Sequence, residues 1–305
     1  MTFLDINSER QGFIMVRVKK KIRIKSKRLT RSVWGNLLMF VFIVGIGALM
    51  ALPLVYSIVT AFKPINEIFI FPPQFFVQHP TLENFGNILT IVNDSWVPLG
   101  RYILNSVFVT GVGTVACVFI DSLAAFPLAK HRFPGRKAFS KAITWAILFR
   151  AEVTGVVVYI ILAFCGMINT YWSMLLPALA SSFGVFLMQQ FIVSFPDTIL
   201  EAARIDGAGE WRIYWSILMP SVKPGWITLV IFTFQTFWNT TSVNYVYDEK
   251  LRLLPAVLSQ ITGSGIARAG EASAIALLLM IPPIVIFVIS QSSVLETMAQ
   301  SGIKE

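Results

Sequence analysis

The chain has 305 residues, 55% of them hydrophobic and only 13% charged, with a formal net charge of +9. An ordinary soluble domain carries about 25% charged residues. With a mean hydropathy of +0.70, this composition excludes a single water-soluble globule and makes the bilayer the expected solvent.

In chain order, residues 1–31 come first as a basic arm. Ten of the 25 Lys and Arg lie between Arg10 and Arg31, with no acid among them. The arm reads as cytoplasmic, touching solvent or lipid, and the apolar run after it far exceeds a signal peptide's ~7–15 residues. It is therefore expected to stay as an anchor. A spanning helix needs about 20 mostly apolar residues, and six runs qualify: 32–62, 102–128, 142–164, 174–193, 225–242 and 272–294. The fourth and fifth are short or interrupted. The fold class is thus an all-α membrane protein of six transmembrane helices, filling residues 32–294. Residues 295–305 are expected as a cytoplasmic tail.

Orientation follows from Lys and Arg. The stretch "KHRFPGRKAFSK" holds Lys130, Arg132, Arg136, Lys137 and Lys141, and the central polar stretch adds Arg204, Arg212 and Lys223. Six spans place both of these with the two termini on one side. The opposite loops hold only Lys63, Arg101, Lys250, Arg252 and Arg268. Positive charge marks the cytoplasmic face, so both ends are expected inside. The net charge reads as topology and contact with anionic lipid, not as a nucleic-acid surface.

The sequence shows little chemistry of its own. Cys117 and Cys165 sit in or at the end of apolar runs, and only His79 and His131 are present. No metal-ligand spacing, phosphate-cradling GxxxxGK[ST] loop or nucleophile–base pattern occurs. No catalytic residue, metal or bound cofactor is expected. Three ionisable residues fall inside expected spans, where they are costly: Asp121, Arg150 and Glu152. Asp121 lies nine residues before Lys130 and Arg150 nine after Lys141, so at 1.5 Å per residue both sit about 13 Å from the cytoplasmic end. Three readings stand at this point: an Asp121–Arg150 ion pair, a polar pathway lining that includes Arg150 and Glu152, or helix ends that fall elsewhere than the apolar runs suggest. Tyr159, Trp238 and Asn239 are further pathway candidates, able to stack on or hydrogen-bond a sugar; helix or lipid packing is the plainer role for each.

Between the fourth and fifth runs, at about 194–224, lies the polar stretch "FPDTILEAARIDGAGEWRIYWSILMP". Pro196 and Asp197 suit a helix start. Gly207 sits where a helix would end, and a second helical stretch begins near Glu210 and stops at Pro220. The expected product is a helix–turn–helix elbow on the cytoplasmic side. It either lies on the membrane or receives another protein. Ala202 and Ala203 leave little bulk on one flank, bracketed by Glu201 and Asp206.

Glu201-Ala202-Ala203, three residues, Gly207, nine residues, Ile217 and Pro220 resemble the EAA signature of ABC importer membrane subunits, with Met219 where Leu is usual. "AFKPINEIF" with Pro72-Pro73, "TLENF", "YILNSVFV", "AAFPLAKHRFPGRK" and "FWN" (Phe237 to Asn239) are similar to the sugar-type permeases. The tail "SGIKE" is similar to that of the maltose-type subunit. The resemblance covers residues 34–305. It implies a coupling role for Glu201, Ala202, Ala203, Asp206 and Gly207, seated in a cleft of a separate ATPase. It further implies two such ATPases using ATP and Mg, a second permease subunit in a hetero-dimer, and an external solute-binding protein. The function implied is carbohydrate import across a prokaryotic inner membrane by alternating access, an acidic sugar being one candidate because of Arg150. In the maltose-type systems the partner permease holds the sugar site. An ion-coupled secondary transporter or an importer permease for a non-sugar solute are the alternatives.

Overall fold

In the computed structural model the described residues are 33–93, 97–149, 151–179, 181–241, 244–263 and 265–301. They are mostly helical, with no strand among them. The chain divides into two compact units, Met1–Ala51 and Leu52–Glu305. The described part of the first is the start of helix α1 (Val33–Ala61), an uninterrupted apolar helix whose side chains there are exposed.

After α1 come a single turn, α2 (Ile65–Ile68), and the amphipathic α3 (Glu83–Asn93). α4 (Leu99–Lys130) follows, then α5 (Arg136–Ala146) and α6 (Ala151–Phe164). α7 (Tyr171–Leu179) and α8 (Ser182–Ser194) lead to α9 (Asp197–Ile205). A composite arm is built from α10 (Glu210–Arg212), a π-helix over Ile213–Leu218 and α11 (Met219–Ser221). α12 (Lys223–Trp238), α13 (Leu254–Thr262) and α14 (Ala269–Ser301) complete the chain.

α4 is the mast of the unit. At 1.5 Å per residue its 32 residues rise about 48 Å. Its inner stripe enters all three buried clusters. Tyr102 packs with Ile88, Leu254 and Ile275 at one end. Val109 and Cys117 pack with Met174, Leu175 and Phe237 in the middle. Ala125, Phe126 and Ala129 pack with Met188, Ile192, Tyr214 and Leu218 at the other end. Small residues set the helix spacing, as is usual inside a bilayer. A Cβ on Gly113 would lie 2.6 Å from the Phe237 ring, and one on Gly225 2.6 Å from Phe191.

Among the described residues, three helices are long and apolar enough to cross a membrane: Trp34–Ala61, Leu99–Lys130 and Ala269–Gln291. The first, second and sixth expected runs are therefore single helices. The third and fourth are broken. The third divides into α5 and α6, because Arg136, Lys137 and Lys141 are expensive in hydrocarbon and α5 stays apart from the apolar α6. The fourth divides at Ser181, whose extended backbone and hydroxyl cap the Gly184 amide at 3.0 Å. The fifth is α12 alone, and the arm before it is bent 80° away. The C-terminal segment expected as a tail from residue 295 is helical through Ser301 as the end of α14.

The end of α4 opposite the elbow is fastened by polar contacts from the far loops. Asn105 Nδ2 donates to the Lys250 and Arg252 carbonyls (2.9 and 3.1 Å), and Tyr102 Oη donates to Glu249 Oε1 (2.7 Å). Nearby, Glu67 accepts the Gln78 and His79 amides at 3.0 and 2.7 Å. Those bonds favour the ionised acid and hold its pKa below the ordinary carboxylate value.

Candidate functional site

The elbow is built from local rules. Pro196 stands at the N-cap of α9 with φ −63°, and Asp197 places a negative charge in the first turn. The helix ends at Gly207, whose φ of +82° is a left-handed conformation that glycine adopts without penalty. The Ala208 amide donates to the Ala203 carbonyl (2.9 Å) and the Gly207 amide to the Arg204 carbonyl (3.0 Å). This pair of bonds is the Schellman closure. The second arm opens at Glu210 and widens into the π-helix ahead of Pro220. Proline has no amide hydrogen to continue an α-helical ladder. The Met219 amide instead reaches back five residues to the Tyr214 carbonyl, and the Trp226 indole donates to the Met219 carbonyl at 3.2 Å.

Burial divides α9 into two faces. Leu200 and Ala203 turn inward onto Ile213, Tyr214 and Leu218. Glu201, Ala202, Asp206 and Gly207 are exposed, and Ile205 beside them is 86% exposed. The two alanines thus have different places: Ala203 lets the helix lie close to its own core, and Ala202 leaves the outer face low.

The elbow is fixed to the end of α4. The Lys130 side chain is 4% exposed and its ammonium meets Asp197 Oδ1 at 2.6 Å, with the Phe195 carbonyl as a further acceptor. That bond, and secondly the positive charge itself, hold the Asp197 pKa below the usual carboxylate value. Across the turn, Arg204 Nε donates to Glu210 Oε1 at 2.9 Å and its terminal nitrogen to Oε2 at 3.4 Å. His131 Nε2 lies 3.3 Å from the same carboxylate. The Arg204 hydrogen bond is the main reason the Glu210 pKa is lowered. Deeper in, Ser122 and Tyr214 share a hydrogen bond of 2.6 Å between buried hydroxyls. Lys130, Arg132, Asp197, Leu200, Glu201 and Arg204 line a polar cavity of about 330 Å³ on the outer side. Such a surface offers fixed charges of both signs and a shallow recess.

Sequence reasoning missed these clamps. Arg204 and Glu210 flank Gly207 symmetrically, three residues to either side, which is a readable signal once a turn is placed there. Lys130 and His131 carry no comparable signal, because their partners are 67 and 79 residues away.

The structure does not gather the pathway candidates into one site among the described residues. Trp238 is buried, donates its indole N–H to the Leu279 carbonyl of α14 at 2.9 Å and stacks on Phe234. Tyr159 shares a 2.8 Å hydroxyl contact with Tyr247, and Asn239 is exposed at the C-cap of α12. Arg150 lies outside the described residues, as does the side chain of Glu152. The expected Asp121–Arg150 pair therefore also falls outside them. Asp121 itself is 1% exposed. Its Oδ2 accepts from Cys117 Sγ at 3.2 Å, and a Cβ on Gly184 would fall 1.8 Å from it. Its Oδ1 has no hydrogen-bond partner among the described residues.

Residues 30–298 match the family described as "Binding-protein-dependent transport system inner membrane component". The chain belongs to that family of integral membrane transport subunits. It is 28% identical over 298 residues to the probable ABC transporter permease YurM of Bacillus subtilis, covering 95% of this chain and 93% of that one. It is 30% identical over 252 residues to the sn-glycerol-3-phosphate permease UgpE of Yersinia pestis, covering 81% and 90%. It is 31% identical over 189 residues to the diacetylchitobiose uptake permease NgcG of Streptomyces coelicolor, covering 61% of each. Its fold is similar to a chain of a bacterial ABC transporter that imports the acidic polysaccharide alginate. The TM-score is 0.71 at 21% identity, covering 86% of this chain and 98% of that one. The named relatives are transport permeases and not enzymes, and this chain is likewise a transport subunit.

Proposed function

We propose that this chain is one permease subunit of an ATP-driven importer, carrying a sugar or oligosaccharide handed over by an external binding protein. α1, α4, α6 with its preceding break, α7–α8, α12 and α14 make six spans of a prokaryotic inner membrane, with both termini in the cytoplasm. The elbow docks on one of two cytoplasmic ATPase subunits, which bind ATP and Mg, and a second permease subunit completes a hetero-dimer. Closure of the ATPases moves the elbow and shifts the permease between inward- and outward-facing states. The carbohydrate reading draws on the diacetylchitobiose permease; the glycerol phosphate permease keeps a phosphorylated non-sugar solute as the second reading.

The observation that carries the proposal is a low, charged outer face, Glu201, Ala202 and Asp206, on a short helix whose inner face is buried and whose ends are clamped. An exposed ion pair contributes only about 0–1 kcal/mol, so shape and the buried edge carry much of the docking. The test uses Glu201→Lys and Gly207→Pro in the assembled transporter. Glu201→Lys reverses a charge on the docking face, and proline cannot adopt the +82° φ at the turn. Both variants should insert normally, yet lose ATPase copurification or substrate-stimulated hydrolysis. Wild-type values of both quantities in both variants would refute the docking role.

A further inference from the structure

We propose that α5 is an in-plane interfacial helix that binds anionic phospholipid, with Lys137 and Lys141 on the headgroups and Phe139 in the acyl boundary. The inference rests on the membrane placement proposed above.

Its anchorage fixes its depth. The Leu128 carbonyl, in the last turn of α4, accepts Arg136 Nε at 2.8 Å and Gln189 Nε2 at 3.3 Å. The same Gln189 amide donates to Ser140 Oγ at 3.1 Å. Two successive turns of α5 are thereby held at the level where α4 leaves the membrane. α6 alone rises about 21 Å over its 14 residues, short of the ~30 Å hydrocarbon core. The non-helical residues 147–149 after α5 let the chain turn from the interface into the bilayer.

With 3.6 residues per turn, α5 has three faces. Arg136, Ser140 and Ile143 are its least exposed residues, with Arg136 on the end of α4 and Ser140 on Gln189 of α8. Phe139, Ala142 and Ala146 form one exposed flank; Lys137, Lys141 and Thr144 form the opposite one. Trp145 is exposed between the two flanks. An apolar flank opposite a lysine flank is the pattern of a helix lying at a lipid surface. The lysine flank has no acid within α5, so its charge complement is an anionic headgroup.

The test places a bimane label at Ala142→Cys in a Cys165→Ser background, since Cys165 is the exposed native cysteine. The assembled transporter is reconstituted in vesicles with identical leaflets. Either the phosphatidylglycerol or the phosphatidylcholine carries brominated acyl chains. Quenching should show phosphatidylglycerol enriched at the label, about fivefold for each lysine. The preference should shrink with added salt and vanish in Lys137→Gln/Lys141→Gln, both exposed positions that leave the Arg136 anchorage intact. Equal quenching by the two lipids in the native sequence would overturn the proposal. So would absence of quenching by either, which would place a protein on that flank. Identical leaflets make the readout independent of orientation, so a wrong topology is detected separately by surface labelling.

Discussion

Lys130→Met, compared with Asp197→Asn, tests what fastens the elbow. Lys130 is almost fully enclosed while the side chain of its partner Asp197 is 71% exposed. Were the attraction between the two charges the main contribution, both variants would lose the same amount. The geometry argues otherwise. Asp197→Asn removes one charge from an exposed position and keeps an oxygen acceptor, so its loss should stay within the about 0–1 kcal/mol of surface pairs. Lys130→Met removes the donor to the Phe195 carbonyl as well as to Asp197. Hydrogen bonds from a charged donor contribute about 1.5–3 kcal/mol each, more than neutral ones. A loss of about 2–3 kcal/mol is therefore expected, offset in part by the apolar methionine in the enclosed space. The assay is reversible unfolding of the purified chain in micelles, run as a double-mutant cycle. The pH dependence has a fixed sign. Asp197 has a lowered folded pKa, so its contribution is present above the unfolded value of about 3.9 and is lost as pH falls through the folded one. The difference between native and Asp197→Asn should therefore be constant near neutrality and close only in acid. Equal losses for the two single variants, or a Lys130→Met loss below about 0.5 kcal/mol, would refute the reasoning.

Gly184→Ala should destabilise the α4–α8 contact by about 1–3 kcal/mol, typical of overpacking, because the new methyl would meet Asp121 Oδ2 at 1.8 Å. Adding Asp121→Ala should recover part of that loss, and a Gly184→Ala chain as stable as the native one would show the contact to be loose. For topology, a lone cysteine at Gln78 should react with an impermeant thiol reagent from outside intact cells stripped of any outer barrier. One at the exposed Ala138 should react only after lysis, and the opposite pattern would reverse the orientation.

Much of the elbow was legible before any coordinates. Pro196, Asp197 and Gly207 act through their own backbone preferences, so the start of α9, its left-handed end and the restart at Glu210 fall where the residues alone place them. The expectation of two equivalent alanines was less accurate. Ala202 and Ala203 are 100° apart on a helix, and only the packing of Leu200, Tyr214 and Leu218 says which of them turns inward. Trp238 reads from sequence either as a residue that stacks on a sugar or, more plainly, as a packing residue, and only the fold places its indole on the Leu279 carbonyl and the Phe234 ring.

What the sequence by itself determined is the solvent, the family and the local turns. Hydropathy, basic asymmetry and residues such as Gly207 act over one helix or less, where chain neighbours decide the outcome. The tertiary structure decided which apolar runs are single helices, that α4 threads all three cores, and that Lys130 and His131 hold an elbow far along the chain. Those contacts depend on the distance and angle between helices, and a linear pattern of apolar residues is the same for many such arrangements. A lysine at a helix end costs little in water, so nothing in its own neighbourhood announces that the fold will enclose it.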